Sequence, residues 1–136
     1  GTAGASSGTH VWGTVCGGAY GNTVNYTLDL SVNLTTNCKL TFKQWYDIEA
    51  TKGTVFDGGN VKISDNDGTS FVVIQPEGGY ADTINATYSN PLGGEPAYSG
   101  TTADWETATF DLKDYDNKSV ILRWNFGSDG ATPARG

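Results

Sequence analysis

Apolar residues recur at every second position along most of this chain, and Gly, Asn, Asp and Pro interrupt them at short intervals. This period places one face of a strand towards a core and the other towards water, whereas an amphipathic helix needs a period near 3.6. The pattern therefore predicts an all-β fold. The alternating segments are residues 24–30, 40–46, 61–63, 108–112 and 120–126, and residues 71–74 form a continuous apolar run.

The step Asp67-Gly68 predicts a tight hairpin, because both residue types tolerate the positive φ angles that such turns need. Residues 61–64 and 69–74 should therefore form antiparallel neighbours. Residues 75–100 contain three Pro and many Gly and are too long for a hairpin loop, so we expect them to cross an end or edge of the sheets. Long crossings between short strands are typical of a two-sheet antiparallel β-sandwich of the jelly-roll type.

Length and charge narrow the possible functions. The 136 residues predict a single domain, 1–136, with a flexible Gly/Ser/Thr-rich segment at 1–9. The net charge is -7 and no cluster of Lys or Arg occurs, so we expect no binding to nucleic acid. No apolar stretch reaches the length of a membrane span, and we expect no membrane insertion.

The two cysteines predict a disulfide. Cys16 and Cys38 form an even pair in an acidic, Gly-rich domain, which is typical of an oxidising compartment and indicates a secreted or cell-surface protein. The alternative is two buried thiols that act as small apolar side chains.

Carboxylates carry the candidate chemistry. The single histidine, His10, lies in the weakly anchored opening of the chain, which disfavours a catalytic triad or a zinc site. Asp47 and Glu49 are two positions apart and share one face of a strand, so they could act as a catalytic pair, bind a hard cation or remain solvated. Asp57 and Asp129 add oxygen donors near turns, which favours calcium, a cation with six to eight oxygen ligands. Ordinary turn chemistry is the alternative.

A set of motifs covers nearly the whole chain in a characteristic order. The motifs are residues 8–14 (GTHVWGT), 40–49 (LTFKQWYDIE), 56–64 (FDGGNVKIS), 76–80 (PEGGY), 97–100 (AYSG), Trp105 with 110–112 (FDL), and 122–129 (LRWNFGSD). In these motifs the chain resembles the jelly-roll accessory domain of secreted bacterial peptidases, found in immune-inhibitor-A-like metallopeptidases and subtilisin-like enzymes and related to MAM and gingipain cleaved-adhesin modules.

The resemblance implies a non-catalytic, calcium-stabilised binding or adhesion module. Its ligand would be a glycan or an extracellular protein, and its parent a secreted peptidase or cell-surface protein. By position, the family's acidic cluster corresponds to Asp47, Glu49, Asp57 and Asp129. The family's usual last strand is missing after Gly136, and β-augmentation by a partner or neighbouring domain would be one way to supply it.

The aromatic residues allow two interpretations. Trp12, Trp45 and Trp124 lie in alternating segments, so we expect them in the core. Aromatic residues in the long crossing and at the entry to a strand are candidates for a platform on which a glycan stacks. The alternative is that they fill the ends of the sandwich, and for Trp105 the resemblance favours this alternative. These candidate ligand-binding residues are Tyr80, Tyr88, Tyr98 and Trp105.

Three functions are therefore open. We expect a binding module rather than an enzyme. The first alternative is a small glycan-cleaving enzyme that uses Asp47 and Glu49, and the second is a purely structural spacer.

Overall fold

A computed structural model of the protein describes residues 4–131. These residues contain ten β-strands, a short 3-10 turn and no α-helix, which confirms the all-β prediction. The strands are β1 (Asn25–Asn33), β2 (Lys39–Gln44), β3 (Ala50–Thr51), β4 (Thr54–Val55), β5 (Gly58–Ser64), β6 (Val72–Val73), β7 (Asp82–Thr83), β8 (Pro96–Ala97), β9 (Glu106–Asp111) and β10 (Ser119–Gly127).

All pairings between these strands are antiparallel, and one isolated parallel bridge joins Val55 of β4 to Ile84. The largest sheet has the order β1-β10-β5-β6, and β2-β9, β3-β4 and β7-β8 form two-stranded sheets. The central strand β10 pairs along all of β1, from Asn25 opposite Gly127 to Asn33 opposite Ser119. Because these sheets are small, the two-sheet jelly roll stays a prediction.

The main core is formed by side chains of the four-stranded sheet together with side chains of β2 and β9. Val61 and Ile63 from β5 and Leu122 from β10 pack with Phe110 of β9, and all four side chains are almost completely buried. Each such side chain contributes about 1.5–3 kcal/mol to folding when it is fully buried. The alternating residues of β5 and β10 form the opposite, outer face of the four-stranded sheet.

The predicted hairpin is confirmed. Asp67 and Gly68 have φ angles of 56° and 78°, and β5 and β6 pair on either side of the turn. In the predicted crossing, residues 75–100, the short strands β7 and β8 pair with each other. The described residues contain no helix that is long and apolar enough to cross a membrane.

The predicted disulfide between Cys16 and Cys38 is wrong, because both thiols are free. Cys38 packs with Val32 against the main core, near the end of β1. Val15, the residue before Cys16, packs instead in a different cluster, with Phe126. Phe126 is paired with Tyr26, which lies near the beginning of β1. The two cysteines therefore belong to regions at opposite ends of β1, whose nine residues span about 27 Å. A disulfide requires Cα atoms within about 7 Å of each other.

The prediction of three core tryptophans is wrong for Trp12, which is 85% exposed. The residues around Trp12 form no strand, so their alternation does not correspond to a buried face. Trp45 is partly buried just beyond the end of β2. Trp124 packs against the main core, with its ring 5.4 Å from that of Phe42 in an edge-to-face arrangement.

Candidate metal centre

Three carboxylates converge at one end of the four-stranded sheet. Glu49, Asp57 and Asp129 each place a carboxylate oxygen within 4.8 Å of the others. Asp57 is 0% exposed and Asp129 is 4% exposed, while Glu49 is partly buried. We call these three residues the acidic cluster.

Strand pairing explains why two distant residues meet there. Gly58 opens β5 and lies opposite Gly127, which closes β10. Because the strands are antiparallel, the residue before β5 and the residues after β10 lie at the same sheet edge. Asp57 and Asp129 are therefore neighbours, and the backbone N–H of Asp129 donates a 2.7 Å hydrogen bond to Oδ1 of Asp57.

Glu49 reaches the same edge from the segment that leads into β3. The hydroxyl of Ser99 donates a 2.7 Å hydrogen bond to the carbonyl oxygen of Asp57 and lies 3.4 Å from the carbonyl oxygen of Glu49. Tyr20 makes a second link, because its hydroxyl donates to Oδ2 of Asp57 (2.7 Å) and accepts from the backbone N–H of Glu49 (3.0 Å). The sequence did not indicate Tyr20 or Ser99, since neither lies in an alternating segment.

The cluster contains negative charge that no neighbouring cation balances. Among residues 4–131, none of the five ion pairs includes Glu49, Asp57 or Asp129. Burial raises the pKa of Asp57, and the charge of Asp129 adds to this, although hydrogen bonds from Tyr20 and from the Asp129 backbone oppose it. Burial also raises the pKa of Glu49, with further contributions from Asp57 and Asp129.

One oxygen of the cluster has no partner. Oε2 of Glu49 is buried and receives no hydrogen bond from the described part of the chain. A buried carboxylate oxygen without a donor or cation is costly, so buried charges are normally paired or coordinate a metal. The donor set is oxygen only, which suits a hard cation such as Ca²⁺ and not zinc, which favours nitrogen and sulfur ligands. The cluster could thus hold a metal ion.

The fourth predicted metal ligand, Asp47, is not part of the acidic cluster. Its Oδ1 accepts a 2.9 Å hydrogen bond from the hydroxyl of Thr101, with which it also forms an isolated backbone bridge. The enzyme alternative requires Asp47 and Glu49 to act as a pair. Glu49 belongs to the acidic cluster, whereas Asp47 is bonded to Thr101 outside it.

The predicted ligand-binding aromatics lie in different surroundings. Tyr80 and Tyr98 contact the main core, with ring centroids 4.8 Å apart, and burial raises the pKa of both hydroxyls. Tyr88 is 50% exposed and packs edge-to-face on Phe56. Trp105 is partly buried and donates its indole N–H to the carbonyl oxygen of Gly4 (3.0 Å). The first two therefore fill the space beside the core, and Tyr88 presents the most exposed ring of the four.

The chain matches no protein-family model, and a search of curated proteins finds no significant relative.

Proposed function

We propose that the chain is a non-catalytic, calcium-stabilised binding module of a secreted or cell-surface protein, with the jelly-roll fold of bacterial peptidase accessory domains. The observation that carries the calcium part is the acidic cluster, in which Oε2 of Glu49 is buried without a partner. The motifs that run in order along the chain support the accessory role. Its ligand would be a glycan or an extracellular protein.

Calcium would stabilise the module by removing an electrostatic penalty. Three carboxylates within 4.8 Å repel one another when ionised, and two of them are almost completely buried. A divalent cation replaces that repulsion with attraction and supplies a partner for the free oxygen of Glu49. It would also join the end of β10, the start of β5 and the segment before β3.

The proposal is tested by titrating chelator-treated protein with CaCl₂ in a calorimeter and by recording melting curves with calcium and with EDTA at equal ionic strength. We expect saturable binding and a higher melting temperature in calcium. At a calcium concentration 100 times the Kd, the expected stabilisation is about 2.7 kcal/mol.

Glu49→Gln and Asp47→Asn form a matched pair of variants for this test. Glu49→Gln removes a charge from the acidic cluster at an oxygen that accepts no hydrogen bond, so it should abolish most of the calcium response without unfolding the protein. Asp47→Asn keeps an oxygen that can accept from Thr101 and lies outside the cluster, so it should leave the response intact. Equal melting curves in calcium and EDTA for the unmodified protein would contradict the proposal.

A further inference from the structure

Strand β1 is an edge of the four-stranded sheet, because it pairs with β10 on one side and with no described strand on the other. Leu28 and Val32 are partly buried, and every other residue of β1 is exposed. Even on the face that alternates towards the main core, Tyr26 is 37% and Leu30 is 51% exposed. The strand therefore presents both its backbone and its apolar side chains to solvent.

Alternate residues of β1 direct their backbone N–H and C=O groups away from β10. The N–H of Leu34 donates to the carbonyl oxygen of Lys118, and the N–H of Ser128 donates to that of Val24. In this antiparallel pair the even-numbered residues therefore carry the hydrogen bonds between the strands. The backbone groups of the odd-numbered residues point to the free edge, and no described residue bonds to them. These residues are Asn25, Thr27, Asp29, Ser31 and Asn33.

The free edge of β1 lacks the features that protect the other exposed edges of this fold. Natural β-proteins guard such edges with very short strands, with Lys or with Pro. β6, the opposite edge of the same sheet, has only two residues, and β2 carries the exposed Lys39 and Lys43. β1 has nine residues without Lys or Pro, and its one charged residue is Asp29. The edge is thus suited to pair with another strand.

The sequence of β1, NYTLDLSVN, has nearly the same chemistry in both directions from Asp29. Two copies that pair antiparallel about a two-fold axis at Asp29 would therefore place similar residues opposite each other. Because the centre is odd-numbered, the free N–H and C=O groups of both copies would also meet. The resulting cross-strand pairs are Asn25 with Asn33, Tyr26 with Val32, Thr27 with Ser31, and Leu28 with Leu30.

The apolar face of β1 gains contacts from this pairing. Leu28 faces Leu30 of the second copy at a position without hydrogen bonds, where the Cα atoms of antiparallel strands are closest, about 4.5 Å apart. Tyr26 faces Val32 of the second copy, and an aromatic beside a β-branched residue is a favourable cross-strand pair. The two most exposed apolar side chains of β1, Leu30 and Tyr26, are covered in this way.

Charge complementarity within each copy offsets the like charges at the axis. Two directly opposed carboxylates are unfavourable on their own. Each Asp29, however, accepts hydrogen bonds of 2.8 and 2.7 Å from Arg123, whose guanidinium also lies 3.7 Å from the ring centroid of Phe71. The two carboxylates and two guanidinium groups across the axis therefore carry no net charge.

We propose that β1 is a dimerisation edge, at which two copies of this chain pair antiparallel about a two-fold axis at Asp29. The four-stranded sheets of the two copies then form one continuous sheet of eight strands. The inference goes beyond the proposed function and does not require calcium, because β1 contributes no residue to the acidic cluster. A dimer presents two copies of any ligand site, which increases avidity for a repetitive ligand.

Sedimentation velocity of the chain over a concentration series in reducing buffer measures the monomer–dimer equilibrium. Ser31→Pro removes an N–H that points to the free edge and leaves the bonds to β10 intact, so it should raise the dimer Kd at least about tenfold. Thr41→Pro is the matched control. The N–H of Leu112 donates to the carbonyl oxygen of Cys38, so by the same alternation the N–H of Thr41 points away from β9. Its dimer Kd should change less than about twofold.

Cysteine crosslinking tests the register without a proline variant. In a Cys16→Ser background, which removes an exposed native thiol, Thr27→Cys and Ser31→Cys chains are mixed and oxidised. The mixture should form disulfide-linked dimers, because the two positions face each other with Cα atoms about 5.5 Å apart. Thr27→Cys alone should not, since its two copies lie four residues apart along the strands, about 13 Å.

Three outcomes would overturn the inference. A chain that stays monomeric up to about 1 mM would leave the edge to a strand of another protein. Dimers that Ser31→Pro and Thr41→Pro affect equally would place the interface elsewhere. Equal crosslinking by the mixture and by Thr27→Cys alone would refute the two-fold axis at Asp29. The calcium response of the protein is measured separately, so none of these outcomes bears on the metal centre.

Discussion

Tyr20 connects two members of the acidic cluster, Asp57 and Glu49, through a single hydroxyl group. It is 1% exposed although it lies outside every strand, and its ring packs edge-to-face on Phe126 with centroids 4.7 Å apart. The hydroxyl donates to Asp57 and accepts from the backbone of Glu49. Tyr20 therefore holds two of the acids at a fixed separation.

Replacing Tyr20 by Phe keeps the ring packing and removes both of these hydrogen bonds. We expect Tyr20→Phe to lower the free energy of unfolding by about 1–3 kcal/mol, because it leaves buried polar groups unsatisfied, and to weaken calcium binding. Urea unfolding and calcium titration measure the two effects. Tyr26→Phe is the control, since the hydroxyl of Tyr26 has no hydrogen bond among the described residues, and its effect should stay within about 0.5 kcal/mol. Equal effects of the two variants would contradict the role of Tyr20.

The long strands could be predicted from the sequence, and so could β6 through its hairpin with β5, whereas the other short strands could not. β1, β2, β5, β9 and β10 have six to nine residues each, enough for a period of two to be visible. β3, β4, β7 and β8 have two residues each, which is too short to establish a period.

The acidic cluster could be predicted by residue type but not by geometry. The meeting of Asp57 and Asp129, 72 positions apart, follows from the pairing of β5 with β10. The spacing of Asp47 and Glu49 indicated a shared face, but the hydrogen bond from Thr101 holds Asp47 apart from the cluster. The disulfide prediction failed for the same kind of reason, because the path of the chain between the two cysteines is a tertiary property.

Gly58, the first residue of β5, lies so close to Ala97 and Ile84 that a larger side chain would not fit there. A Cβ atom at Gly58 would lie 2.8 Å from Cβ of Ala97 and 3.0 Å from Cδ1 of Ile84. Gly58→Ala should therefore force β5 away from these residues, lower stability by about 1–3 kcal/mol and displace the adjacent Asp57, which weakens calcium binding. Gly59→Ala is the matched control, with its nearest new contacts at 3.4 and 3.8 Å. Denaturant unfolding with and without calcium measures both variants, and equal losses would contradict the packing argument.

At the scale of the whole molecule, four acidic residues with shifted pKa values form two groups with opposite effects on stability. A hydrogen bond from Arg123 lowers the pKa of Asp29, and one from Lys118 lowers the pKa of Asp65. Their contribution is present above the ordinary pKa near 4 and is lost as the pH falls below it. The raised pKa values of Glu49 and Asp57 act in the other direction, because the folded state binds protons more tightly than the unfolded state.

The directions of these pKa shifts predict how calcium changes the dependence of stability on pH. In EDTA, the stabilisation that protonation of Glu49 and Asp57 provides is complete below their ordinary pKa values and is lost as the pH rises through the raised ones. As the pH rises above the ordinary pKa near 4, we therefore expect the free energy that these two protonated groups contribute to unfolding to fall in EDTA. In excess calcium the bound ion compensates the ionised carboxylates, so the fall should be absent and the benefit of calcium should grow with pH.

Urea unfolding at a series of pH values from about 4 upwards, in calcium and in EDTA, measures this difference. Glu49→Gln should flatten the EDTA curve and reduce the gap between the two curves, because it removes one of the two proton-binding groups and one charge from the acidic cluster. Parallel curves would contradict the assignment of the cluster as the metal centre, because a cation held by these carboxylates has to compete with the protons that bind to the same oxygens.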